Sequence, residues 1–167
     1  DAIYKLSMAS RASPITYSLV FFSQWWGYYF TIVNTLLVIY KSVKASYYDA
    51  GAKAWDCISL VFFISNNQAR LSYTNSGNFW EEPEDLAWSL LGHLICIGLH
   101  IYYIEFQSFV LLIDIVINSV GLTLAILSLL TTLIQGVTLY HLKIQITHEK
   151  AREKQRERNN KGKDKDV

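Results

Sequence analysis

Charge is scarce in this sequence, and scarcest where the apolar runs are longest. Only 17% of the 167 residues are charged, and between Phe106 and Tyr140 Asp114 stands alone as a charged side chain. A soluble domain cannot arrange its charge in this way, because each surface helix needs a wetted face. Proline occurs twice, at Pro14 and Pro83, and cysteine twice, at Cys57 and Cys96. Both cysteines sit in apolar stretches, so they read as buried free thiols and leave the redox compartment open. Also missing are a phosphate-binding loop, a catalytic triad, a zinc-ligand spacing and an internal repeat. No aromatic-plus-basic surface suggests nucleic acid. These gaps leave no catalytic centre, cofactor, metal site or small-molecule substrate to expect.

What is present is apolar and aromatic: 51% of residues are hydrophobic and 14% aromatic. Residues 15–40 carry no charge and, at ~1.5 Å per residue, extend far enough to cross ~30 Å of hydrocarbon with tilt. They contain the aromatic cluster Trp25, Trp26, Tyr28 and Tyr29. A second span, 52–73, is weaker. Its apolar core holds Asp56, and it reaches spanning length only by including Asn66, Asn67, Gln68 and Arg70. Asn75, Ser76, Gly77 and Asn78 then read as a turn. Pro83 among acids marks a helix start, followed by an uncharged third span, 86–104. Glu105 and Gln107 leave room only for a tight turn, so the third and fourth spans form a helical hairpin. The fourth span, 108–140, is longer than a bilayer is thick, so it must tilt, kink near Gly121 or Gly136, or protrude.

The chain therefore divides into an N-terminal segment (1–14), a four-span domain (15–141) and a charged tail (142–167). The expected fold is all-α: an integral membrane four-helix bundle with a charged cytosolic C-terminal helical tail. The tail keeps helical composition to about Arg158, with Glu149/Arg152 and Glu153/Arg156 pairs worth ~0.2–0.5 kcal/mol each; Asn159 to Val167 reads as disordered. More than half of the lysines and arginines lie from Lys143 onward. The positive-inside rule then places both termini in the cytosol, or in the matrix of a mitochondrion. Membrane lipid is one expected partner; anionic headgroups could meet the basic tail, although the interleaved glutamates favour a solvated helix.

Two acids lie in apolar surroundings. Asp56 and Asp114 read either as parts of an ion path or, the preferred reading, as acids near an interface paired with a loop lysine or capping a helix. His93, Cys96 and His100 share one face of the third span. Ligation of a metal or haem is one reading. However, two histidines seven residues apart are ~10 Å apart along a helix and cannot hold one ion together. A polar seam hydrogen-bonding across helices is the simpler expectation.

One spacing is specific. Arg70-Leu71, five residues, then Gly77-Asn78-Phe79, acids, Pro83 and a new span resemble the small four-span transmembrane family of the ciliary transition zone, associated with the tectonic (Meckel–Joubert) complex. Asp114 to Ser119, with Asn118-Ser119 at its end, matches the opening of that family's fourth span, and Asp56 its early acid in the second. The likeness covers roughly Pro14 to Tyr140. Phe79 stands where the family has leucine, the second span is more polar, and the charged tail is not typical. The resemblance implies a non-catalytic scaffold component of a membrane diffusion barrier, assembled with other membrane and soluble subunits and located at the cilium base. It also suggests an internal ion pair between Arg70 and Asp56 or Asp114, and a turn conformation at Gly77. Two alternatives stand beside it. An accessory subunit of a mitochondrial inner-membrane respiratory complex fits the basic, serine-bearing residues 2–14, which resemble the remnant of an import segment. A small transporter, channel or haem-binding membrane protein fits less well.

Overall fold

The computed structural model describes residues 13–44, 50–107 and 110–163, with side chains through Arg156. Nearly all of the N-terminal segment, the first loop with Tyr47 and Tyr48, Ser108 and the last four residues lie outside the described residues. The described residues form four α-helices: α1 (Pro14–Lys44), α2 (Ala50–Phe79), α3 (Pro83–Ile101) and α4 (Leu112–Lys163). A π-helical turn, Tyr102–Phe106, prolongs α3. There is no strand among the described residues.

Local chemistry sets the helix ends. Pro14 occupies the first helical position of α1, where its missing N–H costs nothing. The Ser13 hydroxyl accepts from the Thr16 amide at 3.2 Å as a cap. Lys41 and Lys44 lie in the last turn of α1, where cations complement the helix dipole. Pro83 opens α3, with Glu84 and Asp85 in its first turn. The π turn closes through the Gln107 amide on the Tyr102 carbonyl at 3.0 Å, after which Gln107 is extended. The fourth helix therefore starts at Leu112, not at residue 108. It then runs unbroken past Gly121, Gly136 and Tyr140 to Lys163, so 159–163, expected to be disordered, are helical.

The turn between α2 and α3 also differs from expectation. Residues 75–78 are helical, and the chain reverses at Trp80–Glu82. The Glu82 amide reaches the Gly77 carbonyl at 3.0 Å, and Glu81 takes the left-handed conformation at φ 59°. That is a Schellman-type ending with glutamate at the position glycine usually holds. Gly77 serves another purpose. A Cβ there would lie 2.8 Å from Leu86, so its lack of a side chain permits close contact of α2 with α3.

The helices pack as a ring in chain order, each against its sequence neighbours, with α1 and α4 closing it. Cross-helix contacts pair residues in opposite order: Ser13 with Asn78, Asp56 with Gln107, Ser23 with Ser128 and Lys41 with Asp114. Neighbouring helices are thus antiparallel. The apolar centre is small: Phe30, Phe63, Cys96, Tyr103, Ile117 and Ala125, with the Phe30 and Phe63 rings 4.4 Å apart.

Polar and apolar residues are distributed inside out. Buried polar residues outnumber buried hydrophobic ones, 17 to 11, whereas large apolar side chains cover the outside of every helix. On α1 these include Phe21, Trp25, Ile32 and Leu36; on α2, Ile58, Val61 and Phe62; on α3, Leu91 and Leu94; on α4, Val116, Ile126, Leu130 and Ile134. Two helical stretches, Pro83–Phe106 and Leu112–Arg156, are by themselves long and apolar enough to cross a membrane. The other two helices are long enough, but polar residues on both their buried and exposed faces lower their average hydropathy.

Candidate functional site

The polar interior forms three levels. At the end holding the C-terminus of α1, Lys41 Nζ and Asp114 carboxylate oxygen lie 2.8 Å apart, both side chains 1% exposed. The same Asp114 oxygen accepts the Leu111 amide at 2.7 Å, so the acid caps α4 while pairing with α1. Beside it, Asp56 accepts from Gln107 Nε2 at 2.8 Å and from the Tyr102 hydroxyl at 3.3 Å. Ser59 and Tyr103 join their hydroxyls at 2.8 Å. The acids expected to balance Arg70 are therefore engaged elsewhere, about fourteen residues or ~21 Å along α2 in the case of Asp56.

The middle level belongs to Arg70. Its Nε and Nη2 donate to Asn67 Oδ1 at 3.2 and 2.7 Å, and Nη1 has no hydrogen-bond partner among the described residues. The ion pair expected from sequence is thus replaced by a charged group held by a neutral amide one turn away on the same helix. Arg70 can approach α3 because Gly92 faces it; a Cβ there would lie 2.6 Å from Arg70 Cβ. Asn66 Nδ2 donates to the Gly92 carbonyl at 3.0 Å. Asn67 in turn lies against Gly27, where an added Cβ would collide with the amide. The polar run 66–70, which weakened the second span in the sequence, therefore joins α2 to α1 and α3.

His93, Cys96 and His100 are all buried but do not converge on one point. His93 Nδ1 lies 2.8 Å from the Ser89 carbonyl, which can only accept, so this nitrogen carries the hydrogen. His100 Nδ1 lies 3.0 Å from Asn118 Oδ1. Asn118 donates through Nδ2 to the Asp114 carbonyl at 2.9 Å, so its oxygen accepts from His100. The chain of contacts Lys41–Asp114–Asn118–His100 links α1, α4 and α3. Gly121 provides space for the His100 ring: a Cβ would collide with it and approach Trp26. Cys96 packs in the apolar centre. Among the described residues no group of three His, Cys, Asp or Glu side chains is placed to share a metal ion.

At the third level Thr74 and Ser89 touch through their hydroxyls, and both hydroxyl oxygens lie within hydrogen-bonding distance of the Arg70 carbonyl, at 2.7 and 3.1 Å. Ser76 donates to Asp85 at 2.6 Å. Asn78 clasps the backbone of Ser13, accepting its amide at 2.7 Å and donating to its carbonyl at 3.2 Å. Outside the bundle Lys143 reaches Glu84 at 3.1 Å, both largely exposed.

Of the motif residues, Asp56, Arg70, Leu71, Gly77, Asn78, Asp114 and Asn118 all face the interior, and Ser119 faces outward. Asn67, Gln107 and Ser13 are partners that the sequence did not single out, and Lys41 is the lysine at a span end that the interface reading of Asp114 called for. An amide at i−3 was a visible signal for Asn67. The whole arrangement holds helices together, and each buried group that has a partner finds it on a helix, a helix end or a turn of this bundle. No curated protein and no solved structure matches the chain. Residues 18–125, more than half of the chain, match the model of the family Transmemb_17, described as a predicted membrane protein, and the chain belongs to that membrane-protein family.

Proposed function

We propose that all four helices cross the membrane and that the protein is a non-catalytic assembly subunit of a membrane complex. The observation that carries this reading is the inside-out distribution: buried polar side chains line the interior of all four helices, and large apolar ones cover most of the outside. In water, α1 and α2 would expose Phe21, Phe22, Trp25, Ile58, Val61 and Phe62 with nothing to cover them; in lipid these are the residues that belong outside. With four spans both termini share a side, and the lysine and arginine excess of the tail places that side in the cytosol. The helical tail beyond Lys143 projects from the bilayer and offers partners a surface, and the spanning domain ends near residue 141.

The Arg-Leu and Gly-Asn spacing at residues 70–78 supports a role like that of the transition-zone scaffold proteins at the cilium base. The chemistry of the interior agrees with such work, since its polar groups are spent on joining helices. A mitochondrial respiratory accessory subunit is the competing place for the same fold. Expression of the chain with a C-terminal tag in ciliated cells, followed by co-purification, separates them. A ring at the cilium base with tectonic-type neighbours is the expected result; mitochondrial staining with respiratory subunits overturns the location. Cysteine-accessibility mapping tests the topology independently: labelling of both ends from the cytosolic face is expected, and labelling of residue 150 from the opposite face overturns it.

A further inference from the structure

Two amides lie on the outer surface at the depth where they are least at home in lipid. The charge-free stretch of α3, 86–104, sets the hydrocarbon zone, and its centre is near residue 95. At that level stand Asn66, which bonds to the Gly92 carbonyl, and the Gly27–Asn67 contact between α1 and α2. Gln24 and Tyr28 on α1 and Gln68 on α2 are therefore within about a turn of the mid-plane, and all three are exposed. They form a cluster: Gln24 Nε2 donates to the Tyr28 hydroxyl at 3.2 Å, and Gln68 neighbours that hydroxyl from α2. Beside it runs an exposed aromatic ladder, Phe21–Trp25–Tyr28, with edge-on ring pairs 6.3 and 6.2 Å apart.

We infer that this α1/α2 face is where a second copy of the chain docks within the membrane. The inference rests on the four-span reading above. Acyl chains offer no hydrogen bonds, and lipid headgroups and carbonyls do not reach the mid-plane, so the spare donors and acceptors of Gln24 and Gln68 need another protein surface. A carboxamide donates and accepts at once, as does the tyrosine hydroxyl. A two-fold copy of the same uncharged cluster therefore satisfies both sides, with no complementary charge required. The flanking Phe21 and Trp25 rings supply the apolar rim of such a contact.

The test uses the full chain carrying Cys57→Ser, reconstituted in phosphatidylcholine bilayers, with single replacements Gln24→Cys, Gln68→Cys and, on the outward face of α4, Thr123→Cys. Oxidative crosslinking should yield a dimer through residue 24 or 68 and none through residue 123. The Gln24→Leu/Gln68→Leu pair should raise the dimer dissociation constant, read by energy transfer on dilution into lipid, about tenfold, which corresponds to ~1.4 kcal/mol. Equal crosslinking at all three positions, or a leucine pair that dimerises as well as the parent, overturns the proposal. So does isolation of the protein from its native membrane with a different chain crosslinked to residue 24. A residue-24 thiol that resists membrane-impermeant maleimide yet forms no dimer defeats only the dimer; one that reacts with that reagent defeats the four-span reading as well.

Discussion

Arg70 carries a permanent charge into the middle of the bundle, and Asn67 Oδ1 is what receives it. Hydrogen bonds to charged groups contribute ~1.5–3 kcal/mol, and a charge left buried without them is worse than no charge at all. Asn67→Leu should therefore lower unfolding stability in mixed micelles by about 2–3 kcal/mol, whereas Arg70→Met should cost clearly less. Equal losses would mean that the charge is not what Asn67 serves. Lys41 and Asp114 call for the complementary experiment, because each is buried with the other as counter-charge. Lys41→Met or Asp114→Asn alone should destabilise by about 3 kcal/mol, and the double replacement by much less than the sum. Should Asp114→Asn leave the fold intact but remove an ion conductance, the structural role assigned to Asp114 is wrong.

Among the elements, the α2–α3 corner is the most informative. The Asn-Ser-Gly-Asn run has the composition of a turn, yet α2 continues through it, because Asn78 bonds to Ser13 and Gly77 is pressed against Leu86. The reversal falls instead on Glu81, in a left-handed conformation that costs an L-residue ~1–2 kcal/mol. Glu81→Gly should thus raise the melting temperature, by the equivalent of about 1 kcal/mol. Gly77→Val should lower it by forcing α2 away from α3. If both variants melt like the parent, the close approach is not structural. The length of α4 is the second lesson at this scale. Of the three outlets for its excess length, tilt, a kink near Gly121 or Gly136, or protrusion, the kink is not taken: Gly121 makes room for His100 and Trp26, and the helix continues through both positions to Lys163.

At the scale of the molecule, the question is which surface meets lipid. Average hydropathy selects only the last two helices; it counts the buried Asn34, Asn67 and Arg70 together with the exposed Gln24 and Gln68. Burial separates the faces: Ile58, Val61 and Phe62 are exposed on α2, the side that the proposed four-span arrangement turns to lipid. Phe62→Arg should then reduce insertion of α2, by ~2–3 kcal/mol on a translocon scale, read as the fraction glycosylated in a reporter assay. No change in insertion would place α2 outside the hydrocarbon.

The sequence by itself determined the helices, the approximate limits of their apolar faces, the antiparallel hairpin after Glu105 and the shared buried face of His93 and His100; of these two only His100 bonds across helices, to Asn118, while His93 bonds Ser89 on its own helix. Each of these rests on short-range patterns: an uncharged run, a proline before acids, residues at i, i+3 and i+7. Tertiary structure decided the partners. Lys41 meets Asp114 across 73 positions of chain, and Asp56 meets Gln107 across 51, pairings fixed by how each helix is rotated and shifted against its neighbours. That setting comes from where glycines make room for a neighbouring helix, admitting its backbone at Gly77 and Gly92 and a side chain at Gly27 and Gly121. Such contacts have no local signature, because a glycine in a helix looks the same whether it faces lipid, a turn or another helix.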